Sequence, residues 1–286
     1  MLRTHRRAPL LRTHPAGGML LDAILQTTSR WPLDRLHGIA RCAQPLVRAT
    51  YRRRVVEDNI RYAFPHADSV RLVREFYAGA SQAAVEVLRL LELPEAELRE
   101  RVTFEGAEAL DEGNAVLLMA HHGNLIWSIC ALSTVIAAPV FTVYKPPHVD
   151  AMDNLLLRLA DRFGLTLVPA NEIRQQVLKR RQKRPVWTLV ADQRPGGRDR
   201  HTVRFCGRDT AFFRGPERLA RAMKWPVFYL SCQRTAPGRY HCRIEKLADP
   251  PHDRGTVVEA YVAKLQEDID QAPADWLWSH RRWRGP

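Results

Sequence analysis

Two adjacent histidines interrupt an apolar stretch of the sequence and are candidates for acid–base chemistry. Residues 117–130 read LLMAHHGNLIWSIC, so His121 and His122 separate two apolar runs. A histidine that acts as a general base usually has a carboxylate beside it, which fixes the tautomer of the imidazole. No acidic residue follows before Cys130, so any such carboxylate must come from elsewhere in the chain.

Strands and helices alternate around these histidines. Short apolar runs typical of buried strands lie at 115–120, 138–145, 165–170 and 185–192, and helical patterns separate them. This alternation predicts an α/β fold with a mostly parallel sheet flanked by helices. Residues 17–101 have helical periodicity instead. We therefore expect one domain over residues 17–286, with a helical N-terminal part and an α/β core from residue 102.

Two carboxylates are candidates for the missing acid. Asp192 ends the run 185–192, and ligand sites in such sheets lie beyond the carboxyl ends of the strands. Glu217, in RGPERLA, is the second candidate. Each also has a structural interpretation, Glu217 as a first-turn acid favoured by the helix dipole and Asp192 as a residue that bonds loop amides. Gly123 and Asn124 are expected to form the turn into a helix, where free backbone N–H groups, including their own, hold an oxyanion.

The positive charge of the chain limits the possible partners. Lys and Arg number 44 against 31 Asp and Glu, a net charge of +13, which attracts nucleic acid, anionic lipid or an acidic protein. The basic residues are dispersed and form no recognised nucleic-acid-binding motif, so we expect no nucleic-acid partner. The five cysteines lack metal-ligand spacing, so neither a metal site nor a disulfide framework is expected.

Both ends of the chain carry features that are typical of membrane surfaces. Residues 1–16 predict a flexible basic tail, and residues 18–50 mix apolar with basic residues, as an interfacial helix does. At the C-terminal end, His280, Arg281 and Arg282 lie among tryptophans. For both segments the alternative is a structural element packed on the domain. No run is long enough for a membrane-spanning helix.

Several motifs together resemble the lipid A biosynthesis (late, HtrB/MsbB-like) acyltransferase family of Gram-negative bacteria, within the lysophospholipid acyltransferase superfamily. They are RRRVVEDNIRYAFP, MAHHGNLIWS, VYKPPHVDAMDNLLLRLADRFG, VADQRPG and the terminal WLWSHRRW. The resemblance implies a glycerol-phosphate-acyltransferase-like fold. It also implies transfer of a fatty acyl chain from acyl carrier protein to a hydroxyl of a lipid A precursor or related glycolipid or lysolipid, with His121 as general base. We expect a monomer without cofactor, bound peripherally or monotopically to the cytoplasmic side of the inner membrane.

The resemblance also assigns substrate-binding residues and exposes one departure from the family. Arg162 matches a family arginine near the site. His122 is expected to line the pocket or to form hydrogen bonds, and it is the alternative to His121 as the base. A basic rim suited to phosphorylated headgroups comprises Lys145, Arg194, Arg198, Arg200 and Arg204. The family carries Glu or Asp five positions after its histidine, and here Ile126 stands in that position.

The departure at residue 126 leaves two other interpretations open. The chain is then either a catalytically impaired relative that binds lipid or acyl carrier protein, or an acyltransferase with a different acceptor. A carboxylate within hydrogen-bond reach of His121 or His122 would favour an enzyme over a binding scaffold.

Overall fold

Helices form the first part of the computed structural model, which describes residues 25–147, 149–197 and 199–283. They are α1 (Leu33–Thr50), α2 (Arg53–Ala63), α3 (Ser69–Arg89) and α4 (Glu95–Arg101). The helical N-terminal region predicted from the sequence is thus confirmed. The basic tail predicted at 1–16 lies outside the described residues.

A seven-stranded, mostly parallel sheet forms the core, as predicted. The strands of the chain are β1 (Val102–Glu105), β2 (Ala115–Met119), β3 (Val140–Tyr144), β4 (Thr166–Pro169), β5 (Val186–Val190), β6 (Arg200–Phe205), β7 (Arg208–Phe213), β8 (Val227–Ala236) and β9 (Arg239–Ala248). Their order in the sheet is β1-β9-β8-β2-β5-β3-β4, and only the β8–β9 pair is antiparallel. The flanking helices are α5 (Leu125–Val135), α6 (Asp150–Arg162), α7 (Ile173–Arg180), α8 (Gly215–Met223) and α9 (Thr256–Gln271). Short 3-10 segments lie at Ala107–Asp111, Arg181–Lys183 and Pro273–Asp275.

Strands β6 and β7 form a separate antiparallel hairpin that was not predicted. Its turn consists of Cys206 and Gly207, both with positive φ (48° and 73°). Two successive residues of this kind match the right-handed twist of a hairpin. The non-glycine residue at the first turn position hides this signal in the sequence.

Glu86, on α3, joins the helical region to the core. Its side chain is fully buried and accepts hydrogen bonds from His37 on α1, Asn124 before α5, and the β8–β9 hairpin. The hairpin donors are Arg234 Nη1 at 3.2 Å, the Gly238 N–H at 2.9 Å and the Tyr240 hydroxyl. Burial alone would raise the pKa of Glu86, but these donors and the charge of Arg234 lower it to about 2.

The first long helix has a docking face and an exposed apolar face. Leu33, Leu36 and Ala40 are buried, whereas Ile39 and Leu46 are 44% and 68% exposed. The helix therefore packs on the domain and still presents apolar side chains to its surroundings. No helix of the described ranges is long and apolar enough to cross a membrane.

We predict that Glu86→Gln destabilises the protein. One pKa unit corresponds to about 1.4 kcal/mol, so lowering the pKa from 4.5 to about 2 corresponds to roughly 3 kcal/mol at neutral pH. Because the folded-state pKa is depressed, this contribution is present above the unfolded-state value and is lost as the pH falls toward 2. Urea denaturation should therefore show a stability gap between wild type and variant that narrows in acid.

The matched control is Glu92→Gln, which removes a partly exposed carboxylate 4.0 Å from Arg30. Exposed pairs of this kind contribute about 0–1 kcal/mol. An equal loss of stability in both variants, or a gap that does not change with pH, would contradict the role assigned to Glu86.

Candidate active site

The register of the central strands brings His121 and Asp192 together. Strands β2 and β5 are parallel neighbours in which Met119 pairs with Val190. His121 and Asp192 each lie two residues beyond this pair, at the carboxyl ends of their strands. Residues at equivalent positions of adjacent parallel strands leave the sheet side by side, so the two side chains meet.

Asp192 is buried and accepts three hydrogen bonds. His121 donates twice, from its backbone N–H to Oδ2 at 3.0 Å and from Nδ1 to Oδ1 at 2.8 Å. The third donor is Trp276 Nε1, 2.8 Å from Oδ2. The carboxylate therefore holds both the main chain and the ring of His121.

This contact sets the protonation of the pair. Burial lowers the pKa of His121, but the charge of Asp192 and the hydrogen bond to it raise it above the ordinary 6.5. Burial of Asp192 would raise its pKa, yet the charge of His121 and the three donors lower it. With Nδ1–H directed at the carboxylate, Nε2 is the basic atom. The Gln193 amide nitrogen lies 3.4 Å from that Nε2, and the His121 side chain is 28% exposed.

His122 faces away from this opening. Its Nδ1 and Nε2 each lie 3.1 Å from a backbone carbonyl oxygen, those of Cys232 and Ala272. The ring is buried and does not line the adjacent cavity. Of the two roles expected for His122, the ring forms hydrogen bonds and does not line the pocket, because both ring nitrogens face the main chain.

The glycine and asparagine that follow shape the turn into α5. Gly123 has φ +64°, and a Cβ there would lie 2.6 Å from the Cys232 carbonyl oxygen, so only glycine fits. Its N–H donates to Asp275 O at 3.0 Å and is not free for an oxyanion, contrary to expectation. Asn124 caps α5, accepting from Trp127 N at 3.3 Å and donating to Glu86. Among the described residues, the N–H groups of Leu125 and Ile126 have no hydrogen-bond partner.

A large apolar cavity opens beside His121. Its volume is about 870 Å³. One wall of the cavity is a row of small residues on α3, comprising Gly79, Ala80, Ala83 and Ala84. Other parts of the wall come from aliphatic side chains of α5 and α6 and from the end of β3. Ile126 belongs to this apolar wall. The carboxylate that contacts His121 is therefore that of Asp192, and residue 126 contributes a hydrocarbon side chain to the wall.

Comparison with known proteins identifies the family. The model of the family described as bacterial lipid A biosynthesis acyltransferase matches residues 3–285. The chain belongs to this family. Individual curated proteins gave no match to the chain. Family membership supports an acyltransferase of lipid A biosynthesis, with a lipid as acceptor.

Among the other site residues predicted for this acyltransferase, Glu217 and Arg162 have structural partners. Glu217 is buried and accepts from Arg214 Nη2 at 2.6 Å and from the Gly255 N–H at 2.7 Å. It is not the displaced partner of His121, since it bonds Arg214 and Gly255, and Asp192 is the carboxylate that contacts His121 Nδ1. Arg162 donates to Leu93 O at 2.7 Å and lies over the Phe163 ring. It does not line the cavity.

The predicted basic rim is divided between two places. Lys145 lines the large cavity, whereas Arg194 and Arg204 line a second, smaller cleft. Arg200 begins β6 and lines neither cavity. Arg198 lies outside the described residues.

The C-terminal segment of this acyltransferase is a buried structural element. Trp276 and Trp278 are 2% and 0% exposed, and Arg282 is 3% exposed. The expectation that the terminal tryptophans contact a membrane is corrected for these two, because Trp276 is bonded to Asp192 and packs against Phe205. The sequence analysis missed Trp276 as a site residue. Its only signal was the family likeness of WLWSHRRW.

We predict that Asp192→Asn lowers the pKa of His121. The substitution removes the negative charge that raises this pKa and replaces the charged acceptor of Nδ1–H with a neutral amide. An NMR titration of the histidine ring protons should therefore show His121 titrating above 6.5 in the wild type and at lower pH in the variant.

Glu217→Gln is the control for this titration, because it also removes a buried carboxylate but one without contact to His121. It should leave the His121 titration unchanged in folded protein. If both substitutions shifted the titration equally, the pairing of His121 with Asp192 would be disproved.

Proposed function

We propose that this protein transfers a fatty acyl chain from the thioester of acyl carrier protein to a hydroxyl of a lipid A precursor. One observation carries the proposal: a His121–Asp192 pair stands at an apolar cavity of about 870 Å³. The pair supplies a base for the hydroxyl, and the cavity supplies an apolar site for the chain. Family membership supports the lipid A-type acceptor.

In the proposed reaction, His121 Nε2 accepts the proton of the acceptor hydroxyl as its oxygen attacks the thioester carbonyl carbon. The resulting imidazolium is stabilised by Asp192, which remains ionised. When the tetrahedral intermediate collapses, the carbon–sulfur bond breaks and the proton on Nε2 passes to the leaving thiolate. An ester and a free carrier thiol result, and the histidine returns to its neutral form.

The N-terminus of α5 is suited to hold the oxyanion of that intermediate. Leu125 and Ile126 line the cavity, and their N–H groups are among the unsatisfied donors of the first helical turn. The positive end of the helix dipole adds to the effect. These two amides replace Gly123 in the role that the sequence suggested.

The size of the cavity fits a long acyl chain. A methylene group takes up about as much volume as a water molecule in the liquid, roughly 30 Å³. A space of about 870 Å³ therefore accommodates a long chain and the thioester. Ile126 in place of the family's acid enlarges the apolar part of the wall, and the site still contains an acid, Asp192.

The contact between His121 and Asp192 also bears on the alternative of a non-catalytic lipid- or carrier-binding scaffold. The scaffold interpretation rests on the missing acid at residue 126. A carboxylate 2.8 Å from Nδ1 of His121 supplies what that position lacks, and it supports the enzyme. An acyltransferase with a different acceptor uses the same chemistry, and a panel of acceptors separates the two cases.

We expect the purified chain to acylate a lipid A precursor with acyl carrier protein thioesters as donors. His121→Ala should remove nearly all transfer, and Asp192→Asn should lower turnover by roughly 10³-fold or more. Glu217→Gln is the control and should retain the wild-type turnover wherever it folds. Mass spectrometry of the acylated products measures the rates.

The donors should span several chain lengths, and the acceptors should include lysophospholipids and other glycolipids. If acyl transfer occurs only to another hydroxylated lipid, the proposed acceptor is wrong and the proposed mechanism is retained. If no pair of donor and acceptor reacts with the wild type, while the thioesters still bind, the scaffold interpretation is correct.

The second part of the proposal is attachment to the cytoplasmic face of the inner membrane. The net charge of +13 favours an anionic surface and an acidic carrier protein. Ile39 and Leu46 on α1 supply exposed apolar side chains, and Met152 and Phe213 do so at the cavity wall. Apolar insertion and charge act together at such interfaces.

We predict that the protein floats with phosphatidylglycerol-containing liposomes and that Leu46→Glu weakens this association several-fold. High salt should weaken it without abolishing it, because apolar insertion is not screened. Val70→Glu on α3 is the matched control, since Val70 and Leu46 are equally exposed at 68%. Complete recovery of the wild type in the soluble fraction at low salt would refute the attachment.

A further inference from the structure

A second cleft, lined by arginines, lies beside the candidate active site. Its volume is about 490 Å³, and its walls come from the β6–β7 hairpin and from the C-terminal segment. The charged residues that line it are Arg194, Arg204, Arg208, Arg282 and Asp209. Four guanidinium groups against one carboxylate make the cleft strongly electropositive.

Arg282 is the feature that points to a ligand. It is 3% exposed, and in the described part of the chain its Nε–H has no hydrogen-bond partner. Its Nη2 donates to Ala211 O at 2.6 Å, and its guanidinium carbon lies 4.4 Å from the centre of the Phe212 ring. A buried cation without a carboxylate in contact is costly. Burial accordingly lowers its pKa to about 10, against the opposing charge of Asp192.

The guanidinium groups of the other three arginines have few contacts with protein groups that would compete with a ligand. Arg208 lies over the Tyr62 ring at 3.8 Å, a contact that leaves the edge of the guanidinium free for hydrogen bonds. Arg204 is 3.6 Å from Asp209, and both side chains are largely exposed, so the pair is weak. Arg194 is exposed, and only its backbone N–H has a partner in the described ranges, the His280 ring.

Two consecutive residues line the two cavities, one each. Gln193 lines the large cavity and reaches His121 Nε2, whereas Arg194 lines the cleft. Arg282 of the cleft is also near enough to Asp192 for their charges to interact, so the cleft lies close to the His121–Asp192 pair.

We infer that the arginine cleft binds a phosphate ester of one of the two substrates. Convergent guanidinium groups form multiple charge-assisted hydrogen bonds to phosphate, and a phosphate would satisfy the cation of Arg282. The assignment to a substrate rests on the proposed acyl transfer. The ester is carried either by the sugar of the acceptor or by the phosphopantetheine arm of the donor.

Binding of small probes tests the inference without requiring turnover. Glucosamine 1-phosphate represents the acceptor and 4′-phosphopantetheine the donor, and each is compared with its dephosphorylated form by calorimetry on the full chain. We expect at least one phosphorylated probe to bind roughly ten-fold or more tightly than its dephosphorylated form. The probe that shows this difference identifies the source of the phosphate.

Variants then locate the binding. The double substitution Arg204→Gln and Arg208→Gln should weaken binding of that probe roughly ten-fold. Arg282→Lys keeps the charge but loses the planar fork, and it should weaken binding as well. If that buried variant fails to fold, the double variant at Arg204 and Arg208 still decides the question.

Arg71→Gln is the matched control, because Arg71 is 61% exposed and lies 3.5 Å from Glu75, much as Arg204 lies near Asp209. Equal binding of phosphorylated and dephosphorylated probes, or an equal loss in Arg71→Gln, would overturn the inference. If the protein binds a probe in a phosphate-dependent manner but transfers no acyl group, the phosphate site stands and the proposed acyl transfer is rejected.

Discussion

A buried carboxylate is stable only if it is surrounded by hydrogen-bond donors, and Asp192 imposes this requirement on the centre of the molecule. Its donors come from the residue after β2 and from the C-terminal segment. The requirement therefore fixes three distant stretches of chain in one place. The contacts of Asp192 thereby orient the His121 ring and hold Trp276 in its buried position.

Glu86 is a second buried carboxylate surrounded by donors, and it lies on α3, the helix whose small residues form one wall of the cavity. By collecting donors from α1, from Asn124 and from the β8–β9 hairpin, it docks α3 against the core. The small residues of α3 then close the cavity over the end of β2. Through Asn124 the same carboxylate also steadies the turn that carries the two histidines.

Ile126 lies in the apolar wall of the cavity, whereas the carboxylate beside His121 comes from the end of the neighbouring strand. An acid on α5 would lie on the cavity side of the histidine, whereas Asp192 approaches from the neighbouring strand and is shielded by Trp276. The cavity wall can then be hydrocarbon throughout this region. Four arginines are grouped in the separate arginine cleft.

Local patterns in the sequence determined the α/β class, the helical N-terminal region and the placement of His121 and Asp192 at strand ends. Periods of two and of 3.6 residues, and the caps beside them, depend only on neighbours in the chain. Asp192 could therefore be named as a candidate acid, together with Glu217. The sequence could not choose between them, because each is a plausible partner by position alone.

Only the tertiary structure decided which strand ends are neighbours. Strand β5 lies beside β2 although β3 and β4 come between them in the chain, and this order depends on crossover connections and long-range packing. The same packing turned the terminal tryptophans inward and gave Glu217 and Arg162 structural partners. The sequence gives the chemical type of each side chain, but the contact partner of that side chain can lie far along the chain. His121 and Asp192, which contact each other, are 71 positions apart.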